Sequence, residues 1–181
     1  MMRVFLAIDL PEQVVETLST IQSFLPVGRP IDIDNFHLTL AFLGEQQEEL
    51  IEEIHQTLQR LSAHQFKLEL TGLDTFGGNE PKILYAGVTK NETLSGLHKK
   101  IRGALHSSGL QLSRERFHPH VTLARFKRGL PYNEVERLRN FLLQHVNLKL
   151  DAFTVDHFSL YRSTLHKDGA IHEELSRYPL I

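Results

Sequence analysis

The sequence predicts an α+β protein: a bilobal tandem β-α-β-α-β repeat, two mainly antiparallel sheets facing a central cleft with helices outside, and a pseudo-two-fold axis between the lobes. Three observations carry this reading. Apolar strand-like runs and helical stripes occur in the same order twice, so that His37 falls on His120, Phe5 on Tyr85 and Leu68 on Leu150, at separations of 83, 80 and 82 residues. The strands alternate polar with apolar residues and no glycine-rich phosphate loop follows them, which argues against a doubly wound parallel sheet. Finally, 181 residues suit one compact body. The expected organisation is a single bilobal domain over 1–181, with lobes at roughly 1–80 and 81–165 and a last strand at 170–178 completing a sheet.

Each element has its own signal. Val4 to Leu10 is an apolar run closed by Pro11, and Val14, Val15, Leu18, Ile21 and Leu25 then form a helical stripe behind that proline. His37 to Gly44 alternates as a strand. Glu45 to Leu61 reads as a helix, with Leu50, Ile51, Ile54, Leu58 and Leu61 on one face and five carboxylates at its N-terminal end, where the dipole favours them. Phe66, Leu68 and Leu70 alternate as a strand before a turn-rich stretch from Asp74 to Pro81. The order then recurs: a strand from Ile83 to Val88, a helix capped by Asn91, a strand at His120 to Leu123, and a helix begun by Pro131. Leu148 to Tyr161 supplies one long or two short strands, and Ile171 to Tyr178 a final one.

Composition narrows the function. With 41% hydrophobic and 23% charged residues the chain is ordinary globular material rather than disordered. No cysteine is present, which removes disulfides, thiolate metal sites and cysteine nucleophiles. No apolar run approaches the ~20 residues of a membrane span. Lys plus Arg, 20 against 22 acidic residues, leaves no global excess of positive charge for polyanions. Any polyanion must be met locally, and Arg114 to Arg128 is the local candidate, with Arg114, Arg116, Arg125, Lys127 and Arg128 against Glu115 alone.

The chemistry rests on His37-Leu38-Thr39-Leu40 and His120-Val121-Thr122-Leu123. Residues two apart on a strand share a face, so each histidine points with its threonine one way while the apolar partners point into the core. A lone strand histidine is more often structural. Two at matching positions of a repeat, brought together by a pseudo-two-fold, make an acid/base site of two imidazoles and two hydroxyls. A metal site is disfavoured, because neither motif has an adjacent carboxylate and three or four converging ligands are needed.

These motifs, with Phe5-Leu6-Ala7-Ile8-Asp9-Leu10-Pro11, Asn35-Phe36 before the first and Phe117-His118-Pro119 before the second, resemble the two-histidine phosphoesterase superfamily. Within it the chain resembles the bacterial and archaeal RNA 2′,3′-cyclic phosphodiesterases, historically labelled 2′-5′ RNA ligases, from Arg3 to about Ser163. The resemblance implies metal-independent opening of a 2′,3′-cyclic phosphate to a 2′-phosphate, with His37 as proton donor, His120 as proton acceptor, and Thr39 and Thr122 on the phosphate oxygens. It also implies that Arg125 touches the phosphate, although strict alternation puts Arg125 opposite His120, so a bulge is required.

Phe5, Phe42, Phe117 and Tyr161 are candidates for stacking on a base, one or two of them facing the cleft. The other histidines, including His98, His157 and His172, read as surface or packing residues, with His118 as a neighbour of the site. The expected protein is a cytoplasmic monomer with no cofactor, no metal and no membrane contact, acting on RNA ends or small nucleotides. The alternatives are a non-catalytic nucleotide- or RNA-binding module and reversible 2′-5′ RNA end joining.

Overall fold

A computed structural model describes residues 1–113 and 116–181; Arg114 and Glu115, part of the basic stretch noted above, lie outside the described residues. In chain order the elements are β1 (Met2–Asp9), α1 (Glu12–Ser23), β2 (Arg29–Pro30), a 3₁₀ turn (Ile33–Asn35), β3 (His37–Gln46), α2 (Glu48–Gln59), β4 (Phe66–Leu68) and β5 (Leu70–Phe76). The second half holds β6 (Ile83–Val88), α3 (Glu92–Ser107), β7 (His120–Arg125), α4 (Tyr132–Gln144), β8 (Phe153–Val155), β9 (His157–His166) and β10 (Gly169–Pro179).

The strands run antiparallel in the order β10-β9-β1-β3-β7-β6-β5, with β2 beside β7, and β4 pairs β8 in a separate ribbon. The two expected sheets are the halves of this path. They meet at a single residue pair, Leu38 of β3 with Val121 of β7. Both side chains are fully buried in the core, which also takes Leu6 and Ile8 from β1, Leu18 from α1, Ile54 and Leu58 from α2, and Ile101 and Leu105 from α3. The helices therefore cover one face of the sheet and leave the other to the site.

The strands do not divide at residue 80. The last strand of each half crosses to the other: β5 pairs β6, and β9 pairs β1. A tight turn through Gly77 and Gly78, both at positive φ, makes β5 and β6 a hairpin, and at Gly77 a Cβ would meet the Glu80 carbonyl oxygen at 2.1 Å. Asp74, Thr75 and Phe76, expected in a turn, are thus paired with Tyr85, Leu84 and Ile83. Glu45, expected at a helix start, is instead the strand partner of Arg3. Leu148 to Tyr161 resolves into two strands, and Asn91 caps α3 by accepting from the Leu94 N–H at 2.9 Å.

Candidate active site

β3 and β7 carry the same pattern of exposure over six residues: half-buried histidine, buried residue, half-buried threonine, two buried residues in succession, then an exposed residue. The consecutive buried pair marks a bulge in each strand. Against β1, Ala7 faces Thr39 and Leu6 faces Ala41, so Leu40 is skipped; against β6, Tyr85 faces Thr122 and Leu84 faces Ala124, so Leu123 is skipped. A bulge re-aims every side chain beyond it. Phe42 consequently lies across from Phe5, and Arg125 across from Ile83, on the histidine face. The bulge that Arg125 required is present, with an unexpected twin in β3.

The antiparallel sense of the Leu38–Val121 pair puts His37 next to Thr122 and Thr39 next to His120 along the seam. The four motif side chains therefore share one face on either side of the junction. His120 Nδ1 lies 2.7 Å from the carbonyl oxygen of His118, and the backbone of Asn35, again two residues earlier, favours the protonated His37 ring. A ring whose Nδ1–H is tied to a carbonyl presents Nε2 to the cleft. Both rings lose basicity through burial. His37 falls to about 4, with the neighbouring His172 adding to the effect and the Asn35 backbone and Asp9 opposing it; His120 is lowered by desolvation while the His118 carbonyl opposes.

Aromatic rings back each histidine. Phe5 lies 4.9 Å from His37 and stacks on Tyr161 at 5.4 Å, while Tyr85 lies 5.4 Å from His120 and stacks on Phe76 at 4.2 Å. The strands that cross between halves thus bring equivalent rings to equivalent places. Phe5 is only 3% exposed and Tyr161 is held by a hydrogen bond to Asp9, so both shape the floor. Phe42, 67% exposed and 6.2 Å from Phe5, is the ring open to a ligand. Phe117 stacks on His98 of α3 at 3.8 Å and is partly buried against the core.

Three residues of the site went unread in the sequence. His172 of β10 stands edge-on to His37 at 5.2 Å and to Phe5 at 4.8 Å. Asp9 faces His37 across β1 and β3, and His157 holds Asp9 Oδ2 at 3.2 Å. His172, expected as a surface or packing residue, thus packs against rings of the motif face, and His157 stands beside Asp9. His118 acts through its main-chain carbonyl, and its ring packs against Phe76. Among the described residues, no group of three or more His, Asp or Glu side chains converges as metal ligands would.

Residues 11–167 match the family profile of the 2′-5′ RNA ligase superfamily. The chain is 31% identical over 180 residues to the RNA 2′,3′-cyclic phosphodiesterase of Methanocaldococcus jannaschii, covering 98% of this chain and all of that protein. To the Thermotoga maritima protein of the same name it is 32% identical, over 96% and 93% of the two chains. Among solved structures, Escherichia coli LigT superposes with a TM-score of 0.79 at 27% identity, over 99% of this chain and 97% of the other. The Thermus thermophilus protein TT0787 gives 0.78 at 27% identity, over 98% and 97%. With this profile match, and relatives of about its own length aligned from end to end, the chain belongs to the 2′-5′ RNA ligase superfamily.

Proposed function

We propose that the protein is an RNA 2′,3′-cyclic phosphodiesterase that opens the cyclic phosphate to a 2′-phosphate with His37 and His120 as its acid and base. The observation that carries this reading is the seam itself, where two strands with the same histidine-x-threonine pattern of exposure meet antiparallel at Leu38 and Val121. The relatives' names support the activity, and LigT has been crystallised with 3′-AMP and with phosphate, which supports a nucleotide ligand.

Attack and departure at phosphorus lie roughly in line, so base and acid must stand on opposite sides. His120 takes a proton from water as its oxygen bonds to phosphorus. The P–O3′ bond breaks, and the 3′-oxygen leaves with a proton from His37, so one proton enters and one leaves the pair. Thr39 and Thr122 donate to the non-bridging oxygens, where charge accumulates. The donor role falls to His37 because Asp9 lies across from it and favours its imidazolium, while the equivalent position beside His120 has no carboxylate. Burial keeps His37 neutral in the free protein, so the phosphate's own negative charge draws the proton onto it.

Incubation with 2′,3′-cyclic nucleotides in EDTA, followed by phosphorus NMR, tests the reading. A 2′-phosphate is the expected product. A 3′-phosphate, or activity that disappears on chelation and returns with zinc or magnesium, overturns it.

A further inference from the structure

Beyond the motif residues lies a pocket of about 410 Å³ lined by Glu80, Pro81, Lys82, Ile83, Arg125, Phe126 and Arg128. It opens where β6 begins and β7 ends, on the side of Arg125 away from the histidines. Arg125 follows Thr122 by three residues, so the pocket begins within about 10 Å of the threonine. We propose that this pocket is a subsite for the sugar-phosphate chain of single-stranded RNA, holding a backbone phosphate on the 5′ side of the cyclic end. The inference rests on the function proposed above and adds the length of the substrate to it.

The pocket's walls are held by main-chain bonds. Lys82 N–H donates to the Phe76 carbonyl at 2.8 Å, and Phe126 N–H donates to the Lys82 carbonyl at 2.9 Å, joining the hairpin to the exit of β7. Glu80 Oε1 accepts from the Gly129 N–H at 3.2 Å and ties the loop carrying Arg128 to the turn carrying Lys82. The one carboxylate in the lining is thereby engaged with a backbone donor. Among the described residues, Lys82, Arg125 and Arg128 form no ion pair, and Arg29 of β2 is the strand partner of Arg125 on its other side. Three cations against the one carboxylate of Glu80 leave the pocket net positive, which raises the local potential and favours a bound polyanion.

The two halves also differ here in a way that orients a strand. The place of Arg125 in one half is taken by the exposed ring of Phe42 in the other. An aromatic face suits a base, and cations in a concave pocket suit phosphates. The terminal base accordingly lies toward Phe42, with the phosphodiester at the histidines and the upstream chain entering the Lys82–Arg128 pocket. A mononucleotide held at the histidines carries no upstream phosphate to place there, whereas an oligonucleotide does.

The test compares a 2′,3′-cyclic mononucleotide with an octaribonucleotide ending in the same cyclic nucleotide, using the wild type and a Lys82→Ala/Arg128→Ala variant. The wild type should show a KM roughly 10-fold lower for the octamer, and the variant should lose this advantage while its mononucleotide kinetics stay unchanged. The log–log salt dependence of octamer binding, read by fluorescence anisotropy, should shallow by about 1.4 in slope as two phosphate contacts go. An unchanged octamer KM and salt slope in the variant overturns the subsite, as does an equal loss on the mononucleotide. If the wild type hydrolyses neither substrate, the proposed reaction fails, and the anisotropy slopes still decide whether the pocket binds RNA.

Discussion

Phe42 and Arg125 hold equivalent places in the two halves, each five residues beyond a motif histidine and each thrown onto the histidine face by a bulge at a Leu-Ala step. The same backbone device thus delivers an aromatic ring on one side of the seam and a guanidinium on the other. Removing Arg125 by substitution with Ala should lower kcat/KM roughly 10- to 100-fold on every cyclic nucleotide, as loss of a charge-assisted contact to phosphate does. Phe42→Ala should act on KM instead, by about 10-fold, and unequally among bases. Steady-state kinetics on all four cyclic nucleotides separate the two; a base-independent effect at Phe42 counts against stacking.

The paired imidazoles serve one step. His37→Ala and His120→Ala should each reduce turnover by roughly 10² to 10⁴ while circular dichroism stays that of the wild type. The double variant should be little worse than either single one, because groups acting as a unit are not additive. Near-full activity in either single variant would sink the mechanism.

The free enzyme should work best on the acid side of ordinary histidine titration. Burial lowers both His37 and His120, His37 to about 4, so the singly protonated pair that catalysis needs becomes scarce as pH rises through 6.5. The basic limb of kcat/KM should therefore lie below pH 6.5, and the corresponding limb of kcat should lie higher, because bound phosphate stabilises the imidazolium. His172→Ala removes both cover and a like charge from His37 and should move the acid limb of kcat/KM, where the more strongly lowered His37 titrates, upward. Full pH profiles of the two proteins check this; coincident limbs would show that His172 does not act on His37.

The same burial links pH to stability. Above pH 6.5 both folded and unfolded chains carry a neutral His37 ring. Between 6.5 and about 4 the unfolded chain takes up a proton that the folded one does not, so stability declines as pH falls. Below about 4 the loss from this residue levels off, at roughly 3 kcal/mol. His98, His120 and His172, also lowered by burial, act in the same direction. Denaturant titrations of wild type and His37→Gln at pH 7.5, 5.5 and 4 should show a shallower decline in the variant; equal slopes would mean the ring is solvated.

The motif face was legible because period-2 alternation around His37 and His120 is unbroken for four residues, and the position of Arg125 forced the bulge. The stacking of Phe117 on His98, in the second turn of α3, is visible only in three dimensions. The pairing of β9 with β1 joins strands from opposite ends of the chain and leaves no trace in local periodicity, while the β5–β6 hairpin was hidden because Asp74 to Phe76 read as part of the turn. His172 was hidden for a different reason. On β10 the apolar residues Ile171 and Leu175 are exposed, 59% and 38%, while His172 on the alternate face turns toward the site, so hydrophobic alternation there points the wrong way. Asp9 reads as the polar end of an apolar strand until its register against His37 is known.

The assignment of acid and base is the sharpest remaining test, because the local surroundings of the two rings are so alike. Each is backed by an aromatic pair, and among the described residues Asp9 and His172 beside His37, and the His118 ring 6.3 Å from His120, set them apart. If His37 is the donor, a 2′,3′-cyclic phosphorothiolate with sulfur at the 3′ position should need it little, since a thiolate leaves without protonation. His37→Ala should then regain most of its lost rate on that substrate, whereas His120→Ala, lacking the base for water, should not. Recovery of His120→Ala in place of His37→Ala would exchange the two roles. It would also mean that the proton-poor ring in the free enzyme, His37, is the base as it stands, with no need for the phosphate to recharge it.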